Sequence, residues 1–140
     1  MTVARMEAPT QELQWAVEDR GRWSALRSVA DPGDVGALLH EVIYEGQTLL
    51  LQHAHRDAHA QAVRQEDGSL LVEIVERGPN ATMTWRVGVG EMAMMAGNVP
   101  GMSPRRVQRL ADHQAAEVLV SWSLGQGLPV GYGGALHVSR

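Results

Sequence analysis

Three residue types are missing from this sequence: its 140 residues include no cysteine, no lysine and no phenylalanine. Without cysteine, the chain cannot form disulfides, use a catalytic thiolate or bind zinc through sulfur. Without lysine, Schiff-base chemistry and the lysine of a phosphate-binding loop are excluded. The net charge of −4 disfavours direct binding of nucleic acid, whose phosphates need a basic surface, and suits a basic protein partner.

Long apolar runs are also missing. The longest apolar stretches are short and broken by Gly, Arg or His, so we expect no membrane span. The N-terminus has no apolar block of signal-peptide length, so we expect the protein to stay in the cytoplasm. Apolar residues still make up 44% of the chain, which is enough for a core. We therefore predict a single domain over residues 1–140, with residues 1–10 as a disordered tail.

Alternating and helical patterns divide the first third of the chain into three elements. The alternation in residues 12–17, ELQWAV, predicts a half-buried strand, and residues 22–29, RWSALRSV, predict its returning partner. Residues 31–46, DPGDVGALLHEVIYEG, predict an α-helix with Asp31 as its N-cap and Gly46 as its end. The apolar stripe that should face the sheet comprises Val35, Leu38, Leu39, Val42 and Ile43.

The remaining sequence predicts four strands, a second helix and a last strand. Asp67-Gly68 marks a hairpin turn between two of the strands. Ser103-Pro104 is predicted to open a helix that continues to Leu124. The order ββ-α-ββββ-α-β predicts an α+β fold, with a mainly antiparallel sheet of six to seven strands and two helices. The five predicted strands of this part cover residues 47–55, 59–65, 70–77, 82–90 and 130–138.

The stretch HAHRDAH is the most enzyme-like part of the chain. On a strand, His53, His55, Asp57 and His59 would share one face, and imidazole and carboxylate groups are good zinc ligands. The stretch resembles the HxHxDH motif of metallo-β-lactamase-type hydrolases, but here the last histidine follows the aspartate by two residues instead of one. Neighbours two apart on a strand lie about 6.5–7 Å apart, so all four can bind one ion only if the chain bends at Arg56–Ala58. Otherwise they are polar residues at a strand end and a turn.

Other catalytic motifs are not found in the sequence. It contains no GxSxG elbow, no phosphate loop and no dinucleotide-binding fingerprint. We therefore predict that the chain is not an enzyme and uses no cofactor. The alternative is a small metal-dependent or ligand-binding α+β enzyme that uses His53, His55 and Asp57.

The order of elements resembles that of a known protein family. DPGDVGALLHEV followed by strands, EDGSLLVEI as an internal hairpin and SPRRVQRLADHQAAEVLVSWSLGQGLPVGY together resemble the α+β immunity proteins of bacterial polymorphic toxin systems, which often accompany deaminase toxins. The resemblance covers most of residues 12–138. Val107 to Leu124 takes the place of the family's late helix, and Gly127-Leu128-Pro129 takes the place of its closing segment. Family members often carry a tryptophan five residues after this proline, where this chain has Gly134.

The resemblance implies a protein that binds a cognate toxin and blocks the toxin's active site or substrate groove. Because toxins that act on nucleic acid tend to be basic, we expect acidic side chains at the interface. The carboxylates that we predict there are those of Glu66, Asp67, Glu73, Glu76 and Glu91. We expect the free protein to be a monomer or a weak dimer. A secretion-system chaperone or adaptor, with the sheet as its contact surface, is a further alternative.

Overall fold

A computed structural model describes residues 12–90 and 108–139 of the chain. These residues form an antiparallel sheet with two helices, which confirms the predicted α+β fold. The helices are a 3-10 helix, Pro32–Glu41, and an α-helix, α1, Asp112–Ser123. The strands are β1 (Leu13–Asp19), β2 (Arg22–Trp23), β3 (Arg27–Ser28), β4 (Thr48–His53), β5 (Ala58–Arg64), β6 (Leu70–Arg77), β7 (Thr82–Val89) and β8 (Tyr132–Ser139). The predicted tail at residues 1–10 lies outside the described residues.

The sheet contains eight strands in the described part of the chain, instead of the six to seven that the sequence predicts. The difference arises because the predicted strand over residues 22–29 is divided into β2 and β3. At the division, the Ser24 hydroxyl accepts a hydrogen bond from the Val17 N–H at 2.9 Å, and the Ser24 N–H donates to the Val17 carbonyl at 2.8 Å. A side chain therefore replaces one bond of the β1 ladder, and regular pairing resumes at β3.

The strands lie in the order β2-β1-β4-β5-β6-β7-β8, with β3 also paired to β1, and all neighbours are antiparallel. Consecutive strands from β4 to β7 are joined by short turns. Arg20 and Gly21, both with positive φ, make the turn between β1 and β2. The Asp67-Gly68 turn between β5 and β6 is also confirmed, with Gly68 at positive φ.

Alternation along the strands gives the sheet two chemically different faces. The covered face packs against both helices and carries Leu13, Leu49, Leu51, Ala60, Ala62, Leu70, Val72, Ile74 and Val87. The helices contribute Val35, Leu39, Ala115, Val118, Leu119 and Trp122 to the same core. On the other face, no helix of the described part packs against the strands. We call this surface the open face; its polar side chains include Gln14, Gln52, His59, Gln61, Glu73, Thr84, Arg86 and His137.

The first helix is shorter than predicted and is a 3-10 helix. Asp31 caps it, as predicted, by accepting a hydrogen bond from the Gly33 N–H at 2.9 Å. It ends at Glu41 rather than near Gly46, because the Gln47 side-chain oxygen accepts hydrogen bonds from the N–H groups of both Ile43 and Tyr44, each at 2.8 Å. This turn takes Ile43 out of the predicted apolar stripe, and its side chain is 58% exposed.

The two helices approach each other closely at a glycine. A Cβ atom built on Gly36 would lie 2.8 Å from the Cβ of Ala116 in α1, a distance that side-chain carbons do not tolerate. Gly36 therefore allows the 3-10 helix and α1 to pack side by side over the covered face.

The second helix begins later than the predicted start at Ser103 or Val107. Leu110 instead pairs with Leu70 at the beginning of β6: each N–H donates to the other's carbonyl at 2.8 Å. Extended backbone at Leu110 is incompatible with a helix, so α1 begins at Asp112, after the Gln114 side chain caps the Ala111 N–H at 2.9 Å. Ser103 and Val107 themselves lie outside the described residues.

A single buried arginine joins four parts of the fold. The Arg64 guanidinium, at the end of β5, donates to both carboxylate oxygens of Asp112 at 2.6 and 3.2 Å. It also donates to the backbone carbonyls of Val42 at 2.8 Å, Leu39 at 3.4 Å and Gly68 at 2.8 Å. The hydrogen bond from Arg64 lowers the pKa of Asp112. All five N–H groups of the guanidinium are thus used.

No helix within the described ranges is both long and apolar enough to span a membrane.

Candidate functional site

The histidine-rich stretch is divided between a strand end and a turn. His53 ends β4 on the covered face, where it is buried and its ring lies 4.8 Å from that of Trp122. His55 is exposed, with Nε2 3.3 Å from the Glu12 carboxylate, and Asp57 accepts a hydrogen bond from Arg77 at 3.2 Å. The predicted metal ligands His53, His55 and Asp57 therefore have different surroundings.

The fourth polar residue of the stretch lies on the opposite side of the sheet. Residues 54–57 form the turn between β4 and β5, near the predicted bend at Arg56–Ala58. The turn reverses the alternation, so His59, which pairs with Gln52, points to the open face whereas His53 points to the covered face. Among residues 12–90 and 108–139, no group of three or more His, Cys, Asp or Glu side chains is placed to hold a metal ion.

Burial determines the electrostatics of His53. Loss of hydration, with a smaller effect of the nearby Arg56 charge, lowers the pKa of His53 below the ordinary histidine value. The pKa of His59 is lowered as well, first by burial and then by Arg77, with Asp57 and Glu73 acting in the opposite direction. His53 Nε2 and Trp122 Nε1 are both buried without a hydrogen-bond partner among the described residues. The lowered pKa values favour the neutral form of both histidines, and His53 lies inside the core.

Two of the acidic residues predicted to bind a partner lie in the hairpin turn between β5 and β6. The carboxylates of Glu66 and Asp67 are each 3.4 Å from Arg109 Nη1. Arg109 belongs to the segment that pairs with β6 through Leu110. The hairpin acids thus help to fix this segment, and their charge is partly neutralised by the arginine.

The other predicted interface acids lie elsewhere on the sheet. Glu73 is on the open face, where its Oε2 accepts hydrogen bonds from Arg86 Nε at 3.1 Å and Nη2 at 2.9 Å, and its Oε1 accepts one from Gln61 at 3.0 Å. Glu76 lies near the β4–β5 turn, 3.4 Å from Arg56. Glu91 lies outside the described residues. The structure therefore places the four described acids in three separate regions, each next to an arginine.

A different set of acidic residues lies together at one end of the sheet. Glu18, Asp19 and Glu45, which we call the acidic end, line a cleft of about 410 Å³ between the β1–β2 turn and the loop before β4. None of the three makes an ion pair with a described residue. The exposed side chain of Tyr44 also lines the cleft, and that of Ile43 lies next to it in the chain. Arg20 is the one basic residue in the described part of the lining.

Sequence reasoning missed the acidic end for a specific reason. Ile43 was assigned to the buried stripe of a helix, which hides the fact that two large side chains, Ile43 and Tyr44, are exposed next to Glu45. The one local signal is the position of Asp19 beside the Arg20-Gly21 turn, because turns lie at the surface.

A second concave region lies on the open face itself. Its volume is about 480 Å³, and Glu73, Thr84, Arg86, Gln108, Ala135, Leu136 and His137 line it. We call it the open-face pocket. Alternate rungs of the β7–β8 ladder provide Thr84 opposite His137 and Arg86 opposite Ala135, so these residues share the open face and the sheet register fixes their spacing. The lining is mostly polar.

Comparison of the chain with protein-family models, curated proteins and solved structures gives no match in any of the three.

Proposed function

We propose that this chain is an immunity protein that binds a basic toxin domain in the cytoplasm and blocks the toxin's active site or substrate groove. The observation that supports the proposal is the acidic end, where Glu18, Asp19 and Glu45 surround an exposed aromatic side chain. Tyr44 is 68% exposed, and tyrosine is a frequent anchor of protein interfaces. Acidic residues around such an anchor suit a basic partner, because opposite charges steer the encounter.

The charges of the acidic end are more available to a partner than those of the acids first predicted. Glu66, Asp67, Glu73 and Glu76 each lie next to an arginine, whose charge cancels much of the field of the carboxylate. Glu18, Asp19 and Glu45 have only Arg20 in the cleft against three carboxylates. A toxin that presents arginine or lysine side chains would gain most at the acidic end. A role of Glu66, Asp67, Glu73, Glu76 and Glu91 in binding stays a prediction.

The test is co-expression with the toxin domain encoded next to this chain, followed by purification of the complex. We expect restored growth and a one-to-one complex whose association rate falls as salt is added. The double variant Asp19→Asn/Glu45→Gln should weaken binding by about tenfold, since close interfacial charge pairs contribute roughly 1.5 kcal/mol or more.

The matched control removes two charges from the hairpin instead. Glu66→Gln/Asp67→Asn changes the net charge by the same amount, so a long-range effect of charge alone would weaken binding equally in both variants. If only the hairpin variant lost affinity for the toxin, the interface would be at Glu66 and Asp67 instead of the acidic end. If the neighbouring genes encode no toxin and no basic protein co-purifies, the proposed function is wrong.

A secretion-system adaptor is the second candidate, and one observation favours it. The outer edge of β8 has no strand partner among the described residues, and its Leu136 and Val138 side chains are exposed. The strand contains no Asp, Glu, Arg or Pro, which usually protect such edges. An adaptor should dimerise or bind an extended peptide through this edge, and Leu136→Lys should abolish the association in sedimentation measurements. A strictly monomeric protein that restores growth in the toxin assay would exclude this candidate.

A further inference from the structure

We propose that the open-face pocket is a binding site for a small organic monocarboxylate with a short apolar chain. The pocket is on the open face between β6 and β8, away from the acidic end at the β1–β2 turn, so this inference is separate from the proposed function. It rests on the hydrogen-bonding capacity that Arg86, Gln108 and Thr84 do not use toward any described residue.

The arginine of the pocket is held in place with one side of its guanidinium free. Nε and Nη2 of Arg86 both donate to Glu73 Oε2, at 3.1 and 2.9 Å. Nη1 donates to no described residue, and the Arg86 side chain is 46% exposed. The free side therefore presents one N–H of Nη1 and the second N–H of Nη2. This is the parallel pair of donors that a carboxylate accepts in a bidentate contact.

A buried amide points to the same ligand. Gln108 lines the pocket and is only 5% exposed, yet its side chain makes no hydrogen bond to a described residue. Neither amide atom is among the fully buried polar atoms that lack a partner in the described part of the chain, so the amide keeps contact with the pocket and can hydrogen-bond a ligand there. The Thr84 hydroxyl and the His137 ring line the pocket as well and have no side-chain partner in the described part of the chain. These groups add donors to those of Arg86.

Glu73, the one carboxylate among the described residues of the lining, is already satisfied. Glu73 accepts three hydrogen bonds, from Gln61 and Arg86, and its side chain is mostly buried. The charges of Glu73 and Arg86 cancel. The groups of the site that remain without a partner among the described residues are therefore hydrogen-bond donors around a neutral pair. One negative charge is suited to such a site, whereas a dianion such as phosphate would meet stronger repulsion from Glu73 and from the net charge of −4.

The size of the pocket and one wall of it suit a short apolar chain on the ligand. Ala135 lies opposite Arg86 on the open face, whereas Leu136 pairs with Trp85 and its side chain points to the covered face. A volume of about 480 Å³ is larger than a carboxylate group needs and falls in the usual range for small-molecule sites. A short chain that covered the methyl group of Ala135 would gain hydrophobic stabilisation that acetate cannot provide.

The experiment is an NMR titration of the full chain with hexanoate, with hexanamide as the neutral analogue and inorganic phosphate as the dianion. We expect saturable shifts at Thr84, Arg86, Gln108 and His137 with hexanoate in the millimolar range, and weaker effects with the other two probes. Arg86→Gln should weaken hexanoate binding by at least about tenfold, the size of a lost charge-assisted contact.

Two further variants make the result unambiguous. Arg77→Gln removes a similarly exposed arginine that pairs with Asp57 in the β4–β5 turn, and this variant should leave hexanoate binding unchanged. Gln108→Leu keeps the arginine and should weaken binding if the amide contacts the ligand, so the test does not depend on the folding of one variant. The proposal would be overturned if hexanoate caused no saturable shifts, if hexanamide bound equally well or if phosphate bound more tightly. It would also be overturned if the affinity for hexanoate were unchanged in both Arg86→Gln and Gln108→Leu.

Discussion

Each face of the sheet has an arginine–carboxylate pair, and the two pairs differ in burial and in how many of the arginine donors are used. On the covered face, Arg64 is buried, and its five hydrogen bonds connect the end of the 3-10 helix, the β5–β6 turn and the start of α1. On the open face, Arg86 pairs with Glu73 at the surface and keeps donors unused. The same chemical pair therefore holds the fold together on one face and prepares a binding surface on the other.

Removal of Arg64 should have the largest effect on stability. Arg64→Met keeps most of the side-chain volume but leaves the carbonyls of Leu39, Val42 and Gly68 without their donor. We expect the free energy of unfolding to fall by about 3 kcal/mol, from several lost hydrogen bonds in a buried site. Urea unfolding followed by tryptophan fluorescence measures this change.

Arg77→Met is the control for this variant, because Arg77 pairs with Asp57 at an exposed position. It should cost less than about 1 kcal/mol. If the free energy of unfolding fell equally in Arg64→Met and Arg77→Met, the buried hydrogen bonds of Arg64 would stabilise the fold no more than an exposed ion pair does.

Acidification should have a smaller effect, and most of it should come from His53 on the covered face. Because burial lowers the folded-state pKa of His53 below the ordinary histidine value of 6.5, the unfolded chain binds more protons in the range between the two values. The contribution of His53 to stability is fully present above pH 6.5 and is lost as the pH falls below that value. His59 shifts in the same direction and should add to the loss.

Unfolding measured between about pH 7.5 and pH 5 should show a shallower decline in His53→Leu than in the wild-type chain. Leu51→Ala, a nearby core variant without a titratable group, should lower stability by similar amounts over this range. Parallel curves for the wild type and His53→Leu would contradict the assignment.

Disruption of the pair on the open face should have the smallest effect on stability. Glu73→Gln keeps the shape of the side chain and removes the charge opposite Arg86. We expect a loss below about 1 kcal/mol, since the Arg86 side of the pair is 46% exposed to water and salt and glutamine keeps an oxygen that can accept from Arg86. A loss as large as that of Arg64→Met, measured under the same conditions, would remove the distinction between the two faces.

The element order could be predicted because each signal is local. The Asp67-Gly68 turn, the Asp31 cap and the alternation of β5 and β6 depend only on neighbouring residues. The pairing of Leu110 with Leu70 depends on residues 40 positions apart, and no local pattern reports it. This long-range pair, rather than helix propensity, determines where α1 begins.

The functional residues were harder to predict than the fold. Strict alternation through HAHRDAH suggested one face for four polar residues, but the turn at residues 54–57 resets the alternation. One signal was readable in the sequence: Arg64 follows Ala58, Ala60 and Ala62 on the apolar face of β5, which marks a buried charge. The availability of the acidic residues depends on which arginines lie beside them, and that is a property of the folded chain.

The missing side chain of Gly36 has a consequence for how this fold can diverge. The gap that it leaves is filled by Ala116, so the separation of the two helices depends on the combined size of residues 36 and 116. A related chain with alanine at position 36 needs glycine at position 116 to keep the same core. These two positions should therefore change together during evolution, and each limits the residues that the other can accept.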